Sequence, residues 1–255
     1  MGKGTAIVTG GAGGLGLAIS HGLRDDGWDV RIIDRQEVID GFTPPEGVIA
    51  EALDITDHAS CRAYFERLDE LSVLVNCAGI ARLGLVRELS IEDWHAVLDV
   101  NLTAALVLTQ LATDLLARSG HGAIVNIASI SGHRASFGRL AYGCSKAALL
   151  QLTKQTALEY APLGVRCNSV SPGPVDSPLI RAALSPEEHA EYMDDIPERR
   201  MAEVDEVANA VVFLASEKST HITGQDIAVD GGFLAAGAGI KKAQQLTAED
   251  RTLRK

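Results

Sequence analysis

The sequence predicts a doubly wound α/β domain, in which helices flank a single seven-stranded parallel sheet. Two observations predict this fold. Apolar runs of strand length alternate with longer segments of helical period, and most of the short runs are apolar on both faces, as strands of a covered parallel sheet are. The chain has 255 residues, of which 46% are hydrophobic, so one domain can bury its own core.

The alternation assigns the elements in chain order. The predicted strands are Thr5–Thr9, Val30–Ile33, Val48–Leu53, Val73–Asn76, Ala123–Ala128, Val165–Val170 and Asp226–Val229. The predicted helices are Leu15–Asp25, Asp57–Glu70, Ile91–Ala117, Tyr142–Tyr160 and Val204–Leu214, with Ser90 and Asp205 as N-caps. Because strands and helices alternate, we expect βαβ crossovers between parallel strands.

Two segments interrupt the alternation. The link from Asp34 to Val48 contains two glycines and two prolines, so we expect a loop or a single helical turn there. The segment Pro172–Met201 contains five prolines and is interpreted as a lid over a pocket. The domain is expected to span residues 1–237, with the lid at 172–201, and the polar residues 238–255 are expected to form a disordered tail.

Composition argues against several classes of function. The net charge of −11 opposes nonspecific attraction to nucleic acid or to an anionic membrane. Aromatic residues make up only 4% of the chain, too few for a base-stacking platform. We find no leader and no uncharged apolar stretch of membrane-spanning length, so we expect a cytoplasmic protein. The four cysteines are widely spaced, and no metal site is predicted.

A glycine-rich turn, Thr9–Gly16, follows the first predicted strand and opens the first helix. It places free backbone N–H groups at a helix N-terminus, which suits a pyrophosphate. Asp34 ends the second strand, where a carboxylate can accept hydrogen bonds from both adenosine ribose hydroxyls and would repel a 2′-phosphate. NAD is therefore the predicted cofactor. Arg35 leaves NADP open, since a guanidinium beside the ribose could hold that phosphate.

A tyrosine, a lysine and a serine supply the groups needed for proton transfer. Tyr142 and Lys146 are four residues apart at the start of a predicted helix, so they share a face and the ammonium can favour an ionised phenol. Ser129 follows the fifth strand at its carboxyl end, where ligands of open α/β sheets bind. Its hydroxyl could hold a substrate oxygen beside Tyr142.

Together these motifs resemble those of the classical short-chain dehydrogenases/reductases, a family with a Rossmann-like fold. The resemblance spans Thr5 to Gly232. Its parts are the Thr9–Gly16 turn, Asp34, Asp54, Asn76-Cys77-Ala78-Gly79, Asn101, Ser129, Tyr142-x-x-x-Lys146, Pro172-Gly173 and Asp230-Gly231-Gly232. Two positions depart from the family pattern: Cys77 replaces a second asparagine, and Ala128 stands where a second serine often precedes the catalytic one.

The resemblance implies a role for each matching residue. Asn101 is similar to the asparagine that bends its helix and holds a water for a proton relay, and Ser129 to the residue that orients the reacting oxygen. Tyr142 resembles the general acid/base, and Lys146 the residue that favours phenol ionisation and binds the nicotinamide ribose. The implied cofactor contacts are Gly10, Gly14, Leu15, Gly16, Asp34, Asp54, Ile55, Asn76, Ala78, Gly79, Tyr142, Lys146, Pro172, Gly173, Val175 and Ser177.

The same resemblance suggests which residues contact the substrate. The candidates are Arg82, Ser131, Arg139 and Met193, with His133, Arg134, Phe137, Leu179 and Met201 as further pocket-lining positions. Several arginines near the mouth of an acidic protein would suit a carboxylate, sulfonate or phosphate on the substrate.

A closer resemblance links the chain to the 2,3-dihydro-2,3-dihydroxybenzoate dehydrogenase branch and related diol dehydrogenases. It rests on the broken link after Asp34, on Ile80-Ala81-Arg82-Leu83-Gly84, on Glu92-Asp93-Trp94 and on the stretch from His221 to Ile227. This keeps a cyclic diol or hydroxy acid open as substrate, beside sugars and polyols, hydroxysteroids and 3-oxoacyl thioesters.

The sequence therefore predicts an NAD(H)-dependent oxidoreductase that interconverts a secondary alcohol and a ketone, and the family implies a homotetramer. The alternatives are a 3-oxoacyl-thioester reductase using NADPH, oxidation of a dihydrodiol, a non-catalytic nucleotide-binding scaffold, and non-redox chemistry such as dehalogenation. The intact set of Ser129, Tyr142 and Lys146 argues against the scaffold, and Lys146 with the open glycine turn argues against dehalogenation.

Overall fold

The computed structural model describes residues 2–176 and 185–245. The strands in that part are β1 (Thr5–Thr9), β2 (Asp29–Asp34), β3 (Val48–Ala52), β4 (Val73–Asn76), β5 (Ala123–Ile127), β6 (Arg166–Pro172), β7 (Val175–Asp176), β8 (Ala202–Glu203) and β9 (Asp226–Val229). They form a seven-stranded parallel sheet in the order β3-β2-β1-β4-β5-β6-β9 and a separate parallel pair, β7 with β8. The predicted α/β fold is confirmed.

The helices of the described residues alternate with these strands, and the last one follows β9. They are α1 (Gly14–Asp25), α2 (Gln36–Ile39), α3 (His58–Phe65), α4 (Ile91–Leu98), α5 (Ala104–Arg118), α6 (Leu140–Tyr160), α7 (Pro186–Asp195), α8 (Val204–Ala215) and α9 (Ile240–Gln244). A π-helical segment, Asp99–Thr103, joins α4 to α5. The link between β2 and β3 holds only the single turn of α2, as its glycines and prolines predict.

Helices cover both faces of the sheet, and each face has its own apolar core. On one face α1 packs against α8, and Ile19, Leu23 and Val211 are fully buried there. On the other face α3 packs against α5, and Ile7 and Leu116 are fully buried. Strands β1, β4 and β5 are buried at every position, so burial on both sides stabilises them.

The strand order reverses at β1, which pairs with β2 on one side and with β4 on the other. The connections that follow β1 and β4 run toward opposite edges of the sheet. A crevice therefore opens beyond the carboxyl ends of these two strands. Thr9, Asp34 and Asn76 end their strands, and Ser129 lies just beyond β5. The predicted site residues therefore meet at one edge of the sheet.

Some predicted helix boundaries are wrong. The helix predicted for Asp57–Glu70 ends at Phe65, because Asp69 and Glu70 would add negative charge at the negative end of its dipole. Asp57 is its N-cap instead of its first residue, and the carboxylate accepts hydrogen bonds from the amides of Ala59 and Ser60, both at 3.1 Å.

One of the two N-cap predictions is confirmed and the other is wrong. Ser90 caps α4 as predicted, since its Oγ accepts a hydrogen bond from the Asp93 amide at 3.0 Å. Asp205 is not the N-cap of α8, because Glu203 holds that position. Asp205 lies in the first turn, where its negative charge still interacts favourably with the helix dipole. Predicted strand ends differ from the observed ones by at most two residues.

The segment predicted as one helix, Ile91–Ala117, is helical throughout, with the π segment inside it, and the observed helical run Ile91–Arg118 ends one residue later. By length and composition it could cross a membrane, with a mean hydropathy of 1.5 in its most apolar window. Core helices meet the same criterion, and Leu108 and Leu116 are fully buried in this one. Only 39% of that window is buried, so much apolar surface of the run faces outward in a single chain.

The end of the described chain folds back onto the predicted lid. The Gln244 side-chain amide donates hydrogen bonds to the backbone oxygens of Met193 (3.4 Å), Asp194 (2.9 Å) and Ile196 (3.1 Å). These carbonyls lie at or just beyond the C-terminus of α7, so the amide satisfies groups that the helix leaves unpaired. Residues 246–255 lie outside the described part of the chain.

Candidate active site

The glycine turn between β1 and α1 forms an open cradle of backbone amides. A Cβ built on Gly13 or Gly14 would meet no described heavy atom within 4 Å. A Cβ on Gly10 would lie 2.8 Å from the Ala78 Cα, and one on Gly16 would overlap the Gly10 carbonyl oxygen. A Cβ on Gly11 would lie 2.8 Å from Ile32 Cγ2, so close packing requires three of the five glycines. Gly13 and Gly14 leave the N-terminus of α1 open, as a pyrophosphate site requires.

Asp34 faces this cradle from the carboxyl end of β2. Its Oδ2 accepts a hydrogen bond from the Ala12 amide at 3.3 Å, and its Oδ1 accepts one from the Arg35 amide at 2.9 Å. The Arg35 guanidinium pairs with Glu37 at 2.8 Å, and both side chains are 64% exposed. The carboxylate is therefore placed for a ribose, and the guanidinium is held only by a weak surface pair.

Thr9 holds the loop after β4 against the cradle. Its Oγ1 accepts hydrogen bonds from the amides of Cys77 (3.0 Å) and Ala78 (2.9 Å). The Asn76 side chain is buried in the sheet and donates to Asn126 Oδ1 at 2.8 Å, so a cofactor contact by Asn76 would fall to its backbone. Burial raises the pKa of the Cys77 thiol to about 12, which keeps this departure from the family pattern neutral.

Tyr142 and Lys146 share a face in the first turns of α6. The Lys146 Nζ lies 5.7 Å from the centre of the Tyr142 ring. Lys146 is only 3% exposed, and its ammonium donates a hydrogen bond to the Ile127 carbonyl oxygen, at the end of β5, at 2.7 Å. The sheet thus fixes a buried positive charge beside the phenol, where it can stabilise negative charge that develops on the ring oxygen.

Ser129 is placed by the turn that follows β5. It is 8% exposed, and its Oγ accepts a hydrogen bond from the Ser131 amide at 3.1 Å. This turn lies directly on α6, because a Cβ on Gly132 would come within 2.9 Å of the Lys146 carbonyl carbon and 3.0 Å of the Ala147 nitrogen. Gly132 therefore allows the segment carrying Ser129 to approach the helix that carries the tyrosine.

Asn101 lies in the π-helical segment and is 2% exposed. Its Oδ1 accepts a hydrogen bond from the Ile80 amide at 2.8 Å, and its Nδ2 donates to the Ile80 carbonyl oxygen at 2.9 Å. The same Nδ2 donates to Ser145 Oγ at 3.1 Å, and Ser145 Oγ donates to the Tyr142 carbonyl oxygen at 2.7 Å. Asn101 thus connects the loop after β4 to the backbone that carries the tyrosine.

Comparison with known proteins agrees with this geometry. A family profile described as enoyl-(acyl carrier protein) reductase matches residues 10–234. The chain is 37% identical over 239 residues to the 2,3-dihydro-2,3-dihydroxybenzoate dehydrogenase of Escherichia coli, covering 88% of this chain and 94% of that one. The chain belongs to the classical short-chain dehydrogenases/reductases. It is therefore an NAD(P)-dependent oxidoreductase.

Other relatives of this short-chain dehydrogenase/reductase are named for different substrates. The chain is 36% identical over 238 residues to the 3-oxoacyl-[acyl-carrier-protein] reductase of Aquifex aeolicus, covering 89% of this chain and 96% of that one. Among solved structures, the gluconate 5-dehydrogenase from Burkholderia cenocepacia in complex with NADP and tartrate has a TM-score of 0.85 at 30% identity, covering 93% of this chain and 97% of that one.

The other predicted cofactor contacts of the short-chain dehydrogenase/reductase lie along the same crevice. Asp54 follows β3 and accepts hydrogen bonds from the Thr56 amide (2.9 Å) and hydroxyl (2.7 Å), with Ile55 between them. At the end of β6, the Gly173 amide donates to the Val229 carbonyl oxygen at 2.9 Å. The remaining positions are Leu15 in the first turn of α1, Gly79 beside Asn101 and Lys146, Pro172 at the end of β6, and Val175 in β7. Ser177 and Leu179 lie outside the described residues.

The residues predicted to contact the substrate have different surroundings in the structure. Arg139 lies beside the tyrosine, with its guanidinium carbon 5.9 Å from the centre of the Tyr142 ring. Arg82 is paired with Asp93 at 3.5 Å. Ser131 Oγ lies 3.1 Å from the Ser136 hydroxyl, and Met193 is half-buried on α7.

Two positioning residues were missed by the sequence reasoning. Gly132 carries no motif of its own, and only the short distance between two distant segments shows why it lacks a side chain. Ser145 directly precedes Lys146 and is fully buried, and this adjacency is the signal that could have found it.

Proposed function

We propose that this oxidoreductase interconverts a secondary alcohol and a ketone, with NAD(H) as cofactor and Tyr142 as the general acid/base. One observation carries the proposal: the buried Lys146 ammonium is fixed 5.7 Å from the centre of the Tyr142 ring. Ser129 and the open glycine cradle lie at the same edge of the sheet.

The side chains would manage the proton and the orientation of the substrate. When bound, the nicotinamide supplies or accepts the hydride. Ser129 holds the substrate oxygen. During oxidation the Tyr142 phenolate takes the proton of the alcohol and becomes a phenol, and during reduction the phenol gives its proton to the ketone oxygen and becomes a phenolate. Lys146 stabilises the phenolate form in both directions. Asn101, through Ser145, keeps the backbone of Tyr142 in place.

The substitution Tyr142→Phe tests the acid/base assignment. We expect NADH binding to be retained and kcat to fall by roughly two to four orders of magnitude, because the ring remains and only the proton donor is lost. The control is Tyr160→Phe on the same helix, whose hydroxyl contacts Thr113 at 2.8 Å. The measurement is NADH absorbance across a panel of neutral and anionic alcohols. Near-normal turnover by Tyr142→Phe would refute the assignment.

NAD is proposed in preference to NADP because the Asp34 carboxylate would repel a 2′-phosphate. Two solved neighbours are described with NADP bound, so this preference rests on Asp34 of this chain alone. We expect Asp34→Ala to raise the kcat/KM ratio of NADP to NAD at least about tenfold, which is 1.4 kcal/mol. If that ratio is unchanged and Arg35→Ala lowers the use of NADP, Arg35 sets the selectivity and the proposal fails.

The substrate class we propose is a small polar alcohol: a cyclic diol, a hydroxy acid, or a sugar or polyol. The dihydrodiol and gluconate dehydrogenases among the relatives support it. The second candidate is a 3-oxoacyl-thioester reductase using NADPH, which the acyl-carrier-protein reductase relative favours. The alcohol panel, extended with acetoacetyl-coenzyme A and NADPH, decides between them. A chain that binds NADH and turns over none of these compounds would instead favour a non-catalytic scaffold.

We also propose that the enzyme is a cytoplasmic homotetramer in which residues 172–201 cover the substrate. The four cysteines are free, which suits a reducing compartment. Leu106 on α5 and Leu158 on α6 are 39% and 73% exposed, and a neighbouring copy would bury them.

A further inference from the structure

Two loops meet beside the tyrosine and place an arginine there. The loop after β4 and the loop before α6 are joined where the Gly84 amide donates to the Gly138 carbonyl oxygen at 2.9 Å, and Gly84 and Arg139 form an isolated parallel bridge. Arg139 therefore has a fixed backbone position one residue before α6. Its guanidinium carbon lies 5.9 Å from the centre of the Tyr142 ring.

The other arginines of these loops already have partners. Arg82 pairs with Asp93 at 3.5 Å and Arg87 with Glu88 at 3.0 Å. The Arg134 guanidinium lies 4.9 Å from the centre of the Phe233 ring and donates to the Phe233 carbonyl oxygen at 3.3 Å. Within residues 2–176 and 185–245, Arg139 has no carboxylate partner. In a chain with a net charge of −11, a cation without a counterion beside the acid/base residue calls for an anionic ligand.

The two loops that join at Arg139 also carry large exposed apolar side chains. Leu83 and Phe137 immediately precede the two joined glycines and are 74% and 92% exposed, and Val86 on the same loop is 80% exposed. Because large apolar side chains at this exposure gain from being covered, they suit the carbon skeleton of a small molecule. The N-terminus of α6 adds favourable potential for negative charge at the same place.

Resting on the proposed function, we propose that Arg139 binds a carboxylate of the substrate and that the substrate is a compact hydroxy acid or its oxo acid. A single guanidinium matches the charge and fork geometry of one carboxylate, whereas a phosphate dianion would require a further cation. The distance from Arg139 to the phenol ring leaves only a few bonds between the carboxylate and the reacting carbon. An acyl thioester has its nearest phosphate much farther from its ketone, so it would not use this contact.

The test compares each anion with its neutral partner. Wild type, Arg139→Met and Arg139→Lys are assayed with NAD on 2-hydroxybutyrate, 3-hydroxybutyrate, gluconate and a cyclic hydroxy acid, and on the amide of each. We expect Arg139→Met to lower the acid-to-amide ratio of kcat/KM roughly ten- to a hundredfold, the effect of losing a bidentate charge-assisted contact, and Arg139→Lys to lower it less. The control is Arg87→Met, which should leave the ratio unchanged.

Inhibition measures the anion directly. Propionate, a monocarboxylate, should compete with the alcohol in wild type and lose potency at least about tenfold in Arg139→Met, while inorganic phosphate at the same concentration should inhibit less. An acid-to-amide ratio unaffected by Arg139→Met, or equal potency of phosphate and propionate, would overturn the assignment of a carboxylate to Arg139. Turnover of the amides without the acids would also overturn it and would leave the dehydrogenase function standing. NADH binding with no turnover of any acid or amide would contradict the proposed function itself.

Discussion

At the scale of single residues, the site depends on a missing side chain as much as on the reacting ones. Gly132 lies where any Cβ would meet the Lys146 carbonyl carbon at 2.9 Å and the Ala147 nitrogen at 3.0 Å. Both are backbone atoms inside a helix, so they cannot move aside as the end of a flexible side chain can. The close approach of the segment carrying Ser129 to α6 therefore requires glycine at position 132.

Gly132→Ala should lower kcat by up to about a hundredfold while NADH binding is retained, because a small displacement of Ser129 misaligns the substrate oxygen. The measurement is turnover with the best alcohol of the panel, together with NADH fluorescence titration and the Tm. Gly41→Ala is the matched control, since its Cβ would meet no described atom within 4 Å. Equal loss of NADH binding and turnover would point to general unfolding instead of a displaced serine.

The candidate site residues could be chosen from the sequence, but the partners of their side chains could not. Asp34, Ser129, Tyr142 and Lys146 stand at recognisable spacings, because a strand end or one helix face fixes where they point. That Arg82 pairs with Asp93 and Arg139 pairs with no carboxylate in the described chain depends on contacts between loops. Such contacts have no sequence period.

At the scale of elements, α8 shows how a charge network starts a helix. The Arg200 guanidinium holds the Glu206 carboxylate at 2.7 and 2.8 Å, and the same carboxylate accepts a hydrogen bond from the Glu203 amide at 2.9 Å. These contacts, of which the hydrogen bond to Arg200 has the largest effect, lower the pKa of Glu206 from 4.5 to about 2. The prediction of Asp205 as the N-cap failed because the capping box between Glu203 and Glu206 sets the start of the helix. The sequence did not distinguish these positions, because Asp and Glu are both compatible with the first turn.

This network predicts a specific pH dependence. A carboxylate whose pKa is lowered in the folded state stabilises that state above its unfolded pKa, and the contribution is lost as the pH falls from about 4.5 towards 2. Wild type should therefore have a higher urea midpoint than Glu206→Gln at pH 6, and the difference should shrink below pH 4.5. Glu46→Gln, at an exposed position in the loop before β3, is the control. A constant difference from pH 6 to pH 3 would contradict the role of this ion pair.

At the scale of the whole molecule, the alternation of strands and helices was the predictable part. Strands buried on both faces leave long apolar runs, so the sheet can be anticipated from β1, β4 and β5 alone. The π segment inside the predicted Ile91–Ala117 helix could not be anticipated in this way, because its five residues are too few to establish a period of their own.

The outward apolar surface of α5 and α6 predicts association. Wild type should elute as a tetramer with a mass near four times 26.9 kDa in light scattering, and Leu158→Glu should shift the mass downward by placing a charge in the apolar contact. Ile49→Glu, 50% exposed on the edge strand β3, should leave the mass unchanged. A monomeric wild type would contradict the proposed assembly.

The contact of Gln244 with the end of α7 has a practical consequence. The Gln244 side chain fastens the segment that is proposed to cover the substrate, so losing this amide should loosen that cover. Gln244→Ala should therefore raise KM before it affects thermal stability.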